Sequence, residues 1–265
     1  MNRLLWAVAD SHVVAKRNVI KIKRVPEVLV FVLISPIMFV LLFAYVFGES
    51  ILIPGGSYRE FLIGGIFAQT VVFGATFTGL GLADDMQKGI IARFRALPMS
   101  RSAVLVGRTA SDVIYNLLSL LIMALSGLVV GWRIHTGFFE AVFGFALLLA
   151  FAYALSWVMA FVGLVVPSVE VINNASFVVI FPLTFIANTF VPSQNLPGAL
   201  RTFAEWNPVS AVTQAARELF GNIPPGTPEP TVWPMQNATA YTIIWIVVII
   251  AVFAPLAINL YRKPR

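Results

Sequence analysis

The stretch FFEAVFGFALLLAFAYALSWVMAFVGLVVPSVEVINNASFVVIFPLTFIANTFV, residues 138–191, decides the fold. Glu140 is the only charge from Phe138 to Val166, and after Pro167-Ser168-Val169-Glu170 an uncharged run resumes from Val171 to Val191, with Pro182 inside it. A helix that crosses the roughly 30 Å hydrocarbon core of a bilayer needs about 20 mostly apolar residues. Each run has that length. They cannot form one helix, because Pro167 removes a backbone donor and its ring clashes with the preceding turn. Two antiparallel spans joined by a tight turn fit the residues.

Working outward, four more runs share this character: Val28–Gly48 with Pro36 near its middle, Phe61–Ala83 interrupted by glycines, Gln69 and threonines, Val113–Gly131, and Thr239–Leu260. The pattern predicts an all-α integral membrane protein, a single domain over 1–265. Its six transmembrane helices lie at 28–48, 61–83, 113–131, 138–166, 171–191 and 239–260. Composition agrees. Hydrophobic residues make up 59% and charged residues 11% of the 265-residue chain, against about 45–50% and about 25% in soluble domains. A water-soluble globule with this balance would lack the polar surface to cover itself, and a disordered chain would be poor in such residues. The absence of Cys excludes disulfides and thiolate metal sites.

The basic residues set the orientation. Arg3, Lys16, Arg17, Lys21, Lys23 and Arg24 precede the first span; Lys88, Arg93, Arg95, Arg101 and Arg108 lie between the second and third; Arg262, Lys263 and Arg265 follow the sixth. Six spans put all of these on one side, leaving Arg59, Arg133, Arg201 and Arg217 opposite. The positive-inside rule then makes both termini cytoplasmic. Trp132, Trp206 and Trp233 near outer span ends, and Tyr261 at an inner one, fit interfacial aromatic belts. The first run is longer than a signal-peptide core and no small-x-small site follows it, so it is expected to stay as an anchor.

In residues 1–26, Leu4, Val8, Ala15, Val19 and Ile22 share a narrow arc of a helical wheel, with Lys16, Arg17, Lys21, Lys23 and Arg24 opposite and Val13 and Ile20 off the pattern. This describes an amphipathic helix on the inner membrane surface; a plain basic flank is the alternative.

Catalytic chemistry is absent. No G-x-x-x-x-G-K-[ST], H-E-x-x-H or G-x-S-x-G occurs, and the two histidines, His12 and His135, fall on opposite faces of the predicted topology. No ionisable residue lies mid-span, where ion-coupled transporters place them. Uncharged polar residues do occur in the spans, among them Gln69, Thr76, Asn173, Asn174 and Asn188. Helix–helix hydrogen bonding, worth about 0.6 kcal/mol each, accounts for any one of them at least as well as contact with a passenger. Residues 221–236 carry five prolines and read as an extended external loop.

One cytoplasmic segment stands out, Asp84 to Arg101. Ile90, Phe94 and Leu97 recur at helical spacing with Arg93 and Arg95 beside them, and Pro98 ends the pattern. A short helix of this kind suits docking into a groove of a soluble partner; a topogenic basic loop suits it equally. The residues KGIIARFRALPMSRSAVLVGRTASDVI, Lys88 to Ile114, resemble the coupling region of ABC-2 type transporter permeases, in particular the daunorubicin-resistance-type drug exporters. The stretch FVPSQNLPGALRTFAEWNPVSAVTQAARELFGN, Phe190 to Asn222, resembles the same family's external segment before the last span, with Asn207-Pro208-Val209-Ser210 matching its N-P-x-[ST] pattern. Many relatives carry Glu-rich sequence before the coupling Gly, where this chain has Asp84, Asp85 and Gln87.

The resemblance implies an ABC-2, type V exporter-like permease fold, with 84–112 as the cytoplasmic coupling region and 192–238 as an external re-entrant or loop segment. It implies a separate P-loop ATPase in two copies, which binds ATP and magnesium, beneath a pair of permease protomers, identical or closely homologous, in a bacterial cytoplasmic membrane. This chain itself would hold no cofactor, no metal and no nucleic acid. Lys88, Gly89, Ile90, Arg93, Phe94, Arg95, Leu97 and Pro98 would form the coupling helix, Arg93 and Arg95 pairing with acidic groups of the ATPase and Phe94 and Leu97 filling its apolar pockets. Gln69, Thr76, Asn173, Asn174 and Asn188 would border the substrate path. Trp206, Asn207, Pro208 and Ser210 would belong to an external gate. Spans without fixed charge suit a hydrophobic or amphipathic cargo. Polysaccharide export, which relatives also perform, and ATPase-independent secondary transport are the rival readings.

Overall fold

The computed structural model describes residues 3–24, 26–46, 56–97, 100, 102–166, 168–223 and 226–262; in the first two helices it describes side chains for 9–18, 20, 34 and 37–46. The described residues form helices and connecting turns, with no strand. In chain order the helices are α1 (Arg3–Arg24), α2 (Pro26–Val46), α3 (Tyr58–Gln87), α4 (Ile90–Ala96), α5 (Ala103–Val130), α6 (Phe138–Val165), α7 (Val169–Phe185), α8 (Gly198–Trp206), α9 (Pro208–Phe220), α10 (Trp233–Gln236) and α11 (Ala238–Arg262). Among the described residues four of them, α3, α5, α6 and α11, are long and apolar enough to cross a membrane. The apolar helices α2 and α7 are shorter, at 21 and 17 residues.

Helix α6 ends where expected, with Val166 extended, and α7 restarts with Ser168 Oγ accepting from Val171 N at 3.4 Å. Pro167 lies outside the described residues. Three other boundaries differ from the apolar runs: α7 ends at Phe185 rather than running to Val191, α3 continues to Gln87, and α5 begins at Ala103. Helices α3 and α5 propagate through charged residues because those charges have partners. Asp84 pairs with Lys88 at 2.7 Å, Asp85 with Arg17 at 2.6 Å, and Asp112 with Arg108 at 3.5 Å and with Thr78. Most of segment 84–112 is therefore the ends of two long helices, with only a short elbow between them.

Helix α3 is the hub, packed against α2, α5, α6, α7 and α9. Its crossing with α6 is close because both sides are glycine: a Cβ on Gly163 would lie 2.6 Å from Gly79 O, and one on Gly79 would lie 2.9 Å from Met159 O. Small residues at such crossings let helices meet without a hydrophobic driving force. Phe67, Trp132 and Phe220 form an edge-to-face aromatic core with centroids 5.2–5.8 Å apart. Trp132 is 1% exposed, and its Nε1 donates to Asn222 Oδ1 at 2.7 Å. It is a core residue, contrary to the expectation of an interfacial belt, and so is the buried Tyr261. Trp206 and Trp233 are half exposed.

Helix α1 packs on α5. Val14 and Asn18 face inward, and a Cβ on Gly107 would lie 2.5 Å from Ser11 O. Asn18 Nδ2 donates to Ser111 Oγ at 3.2 Å. Val13 and Ile20, which spoiled the predicted stripe, are exposed. The side chains of Leu4, Val8, Val19 and Ile22, which carried that stripe, lie outside the described ones.

The largest departure is Arg217, counted among the basic residues of the outer side. It is 1% exposed. Its Nε donates to Phe61 O at 2.8 Å, and its terminal nitrogens donate to Asn188 O at 2.7 Å and Thr189 O at 3.0 Å. The guanidinium also lies 3.4 Å from the Phe61 ring centroid. Helix α7 stops at Phe185, so the carbonyls just beyond it have no helical donors. Arg217, from α9, supplies them.

Gly163→Val is expected to destabilise the bundle by about 1–3 kcal/mol, read as a lower thermal midpoint in detergent; an unchanged midpoint would mean the crossing tolerates a wider gap. Arg217→Met strips the donors of Asn188 O and Thr189 O, which lie beyond the end of α7, at about 1–3 kcal/mol for each buried group left bare, and is expected to lower the midpoint further. Arg217→Lys, which cannot fork to all three, should fall between.

Candidate functional site

The elbow is built by Gly89. Lys88 N and Gly89 N close α3 on Asp84 O and Met86 O, both at 3.0 Å, and Gly89 turns the chain at φ +68°, a left-handed conformation that favours glycine. Helix α4 then runs for seven residues. Ile91 anchors it in a core with Leu82, Val104 and Leu105. Phe94 is half-buried against the same core, beneath the Arg17 guanidinium at 5.0 Å from its ring centroid. Arg95 lies over the Tyr261 ring at 5.1 Å. Phe94 and Arg95 thus engage their own chain, where the sequence had assigned both to a partner. Arg93 and Leu97 are exposed, Leu97 at 55%, and Ile90 is partly covered. Pro98 lies outside the described residues. The hydrogen bond and charge of Asp84 hold the Lys88 ammonium above the ordinary lysine range. Ser100 N donates to Asp10 Oδ2 at 3.0 Å, so α1 grips the elbow segment at both Phe94 and Ser100.

Midway along α3 an apolar groove of 310 Å³ opens between α3, α5 and α7. Phenylalanines form much of its wall, and Gln69, Thr76 and Asn173 come together on it. Thr76 Oγ1 donates to Phe73 O at 2.6 Å, which turns its methyl-bearing face rather than a free donor to the space. Tyr115 Oη and Thr70 Oγ1, buried beside the groove, have no hydrogen-bond partner among the described residues. Asn174 is exposed elsewhere on α7 and does not line the groove. Asn188 lies on a different cavity.

That second cavity, of 440 Å³, lies between α8, α9 and residues 223–236. Arg201 and Glu205 pair across one turn of α8 at 2.7 Å. Asn188 Nδ2 donates to Gln214 Oε1 at 3.3 Å, and Gln214 Nε2 to Glu218 Oε1 at 3.1 Å. Burial raises the Glu218 carboxyl above its ordinary value, with the Gln214 bond opposing. Asn207 caps α9 by accepting from Val209 N at 2.9 Å, and its Nδ2 donates to Leu183 O at 2.7 Å. Pro208 follows at the first helical position, where its missing donor costs nothing. Ser210 Oγ accepts from Asn188 N at 2.9 Å. The Asn-Pro-Val-Ser motif therefore ties the start of α9 to the end of α7. Trp206 closes the neighbouring surface, its carbonyl accepting from Tyr241 Oη at 3.0 Å. Arg217 is the residue that sequence reasoning missed. Its partners are carbonyls, which leave no complementary acid to find, and the only local signal is the small-residue face Gly64-Gly65 opposite it. No group of three potential metal ligands forms among the described residues.

The ABC-2 type transporter family profile matches residues 11–220. The chain is 31% identical over 252 residues to the daunorubicin resistance ABC transporter permease protein DrrB1 of Streptomyces coeruleorubidus, covering 93% of this chain and 84% of that one. It is 25% identical over 186 residues to the probable doxorubicin resistance ABC transporter permease protein DrrC of Mycobacterium tuberculosis, covering 70% and 67%. A putative transport permease, ycf38, of Cyanophora paradoxa is 22% identical over 219 residues, covering 81% and 75%. A family match that spans both the elbow and the α8–α9 segment, on an all-helical bundle with spanning helices, has one meaning: the chain is a membrane protein of the ABC-2 type transporter family.

Proposed function

We propose that this chain is the membrane-spanning permease subunit of an ATP-binding-cassette exporter, moving hydrophobic or amphipathic compounds, drug-like or lipid-like, out of the cytoplasm or the inner leaflet. ATP and magnesium bind a separate P-loop subunit, two copies of which sit beneath two permease protomers in a bacterial cytoplasmic membrane. Helices α2, α3, α5, α6, α7 and α11 are the six spans, and both termini are cytoplasmic. The observation that carries this reading is the α4 elbow. It is fastened to the bundle through Ile91 and Phe94 while Arg93 and Leu97 remain exposed. A helix of seven residues held this way is too short to be a span and too well anchored to be a loose connection.

In this scheme Arg93 pairs with an acidic group of the ATPase and Leu97 enters an apolar pocket there. Lys88, Gly89 and Ile90 set the angle of the elbow, Phe94 acts from its inner side beneath Arg17, and the exposed Arg95 lies over Tyr261. Closure of the ATPase pair displaces α4, and the displacement passes to the ends of α3 and α5. The groove bearing Gln69, Thr76 and Asn173 is the cargo route, closed on its open side by the second protomer. Its phenylalanine walls support an apolar cargo over a polysaccharide, and the names of the relatives, resistance permeases for daunorubicin and doxorubicin, support a drug-like one. Trp206, Asn207, Pro208 and Ser210 border the exit, the last three by fixing where α9 begins.

Co-purification with a P-loop ATPase is the direct test, and a chain that transports without one would overturn the proposal. Arg93→Ala combined with Leu97→Asp is expected to lower ATPase retention and ATP-dependent efflux by about tenfold or more, with membrane yield unchanged; normal efflux would remove α4 from the coupling path. Asn173→Trp, which fills the groove from an exposed position, is expected to reduce efflux while leaving ATPase retention at the wild-type level.

A further inference from the structure

Two acceptors on the wall of the 440 Å³ cavity lack the same kind of partner. Asn188 is 7% exposed, and its Oδ1 receives no hydrogen bond while its Nδ2 is committed to Gln214. Glu218 accepts from the neutral Gln214 amide, and no cation of the described residues lies within ion-pair distance of it. What is missing at both is a donor, and at Glu218 a positive one. The cations that do line the cavity are spent: Arg201 on Glu205, and Arg217 on three backbone carbonyls. An anion would therefore find these groups engaged and would face Glu205, Glu218 and Glu229. The rest of the wall mixes neutral polar residues, among them Ser193, Gln194 and Asn195, with an apolar side formed by Phe61, Ile223 and Met235.

We propose that this cavity binds an amphipathic organic ammonium, its N–H groups donating to Asn188 Oδ1 and the Glu218 carboxylate and its apolar body resting on Ile223 and Met235. Glu218 is exposed at the cavity mouth and Asn188 is buried behind it; hydrogen bonds from a cation to a carboxylate are about twice as strong as neutral ones. The cavity is separate from the groove on α3, α5 and α7, sharing no lining residue with it. Its role as the last station of an exported amine rests on the exporter reading; the binding itself does not.

The test uses the full chain in phosphatidylcholine nanodiscs without ATPase or nucleotide, titrated with dansylcadaverine, a primary ammonium on an aromatic body, and with its neutral N-acetyl derivative. Empty nanodiscs give the partition background. Wild type is expected to bind the ammonium about tenfold more tightly, the worth of one charge-assisted hydrogen bond. Glu218→Gln, which keeps shape, is expected to abolish that preference, and Ile223→Trp, at an exposed lining position, to weaken both probes. Equal affinity for the two probes, a preference that survives Glu218→Gln, or binding untouched by Ile223→Trp would each overturn the assignment. With no nucleotide present, such a result leaves the ATPase proposal standing, and loss of ATPase co-purification leaves this one standing.

Discussion

Three backbone carbonyls, of Phe61, Asn188 and Thr189, converge on the guanidinium of Arg217, and the arrangement of α7, α8 and α9 follows from that convergence. A chain that leaves helical geometry inside an apolar bundle exposes carbonyls with no water to satisfy them. Helix α7 does this at Phe185. A lysine could satisfy only part of the set, whereas the planar fork of arginine reaches all three. Once α9 is fixed there, Phe220 falls into the aromatic core with Phe67 and Trp132, and Asn207 and Ser210 bind the end of α7. The second cavity is the space left between these fixed elements and residues 223–236.

The opposite end of the bundle is organised by ion pairs. Arg17 touches both Asp85 of α3 and the Phe94 ring of α4, and Asp10 holds the backbone at Ser100. Asp112 of α5 is met by Arg108 and by Thr78 of α3. These contacts join α1, α3, α4 and α5 into one block. Helix α3 runs from this block to the residues that surround Arg217. The glycine crossing of α3 with α6 lies between the two ends.

Much of this was legible because apolar length is a strong signal. The long apolar helices, the break near Pro167 and the short helix from Ile90 could be read from apolar runs, prolines and the helical spacing of Ile90 and Phe94. Helix ends were less legible: α5 begins ten residues before its apolar run because Arg108 and Asp112 neutralise each other one turn apart. The candidate passenger-lining residues were read only as polar residues in spans, and the fold sorts them. Gln69, Thr76 and Asn173 share a groove, Asn188 belongs to the other cavity, and Asn174 lies apart. Trp132 and Tyr261 looked interfacial because aromatic residues at span ends usually are; Asn222 and Arg95 drew them inward. Partners distant in sequence decided where these aromatic and polar residues lie, and hydropathy carries no record of them.

The packing of α1 has a bearing on biosynthesis. Its inward residues, Val14 and Asn18, meet Gly107 and Ser111, which leave the ribosome about ninety codons later. Arg17 can meet Asp85 once α3 is made, but the seat for Val14 and Asn18 exists only after α5. The docking of α1 is therefore completed after α2 and α3 have been synthesised.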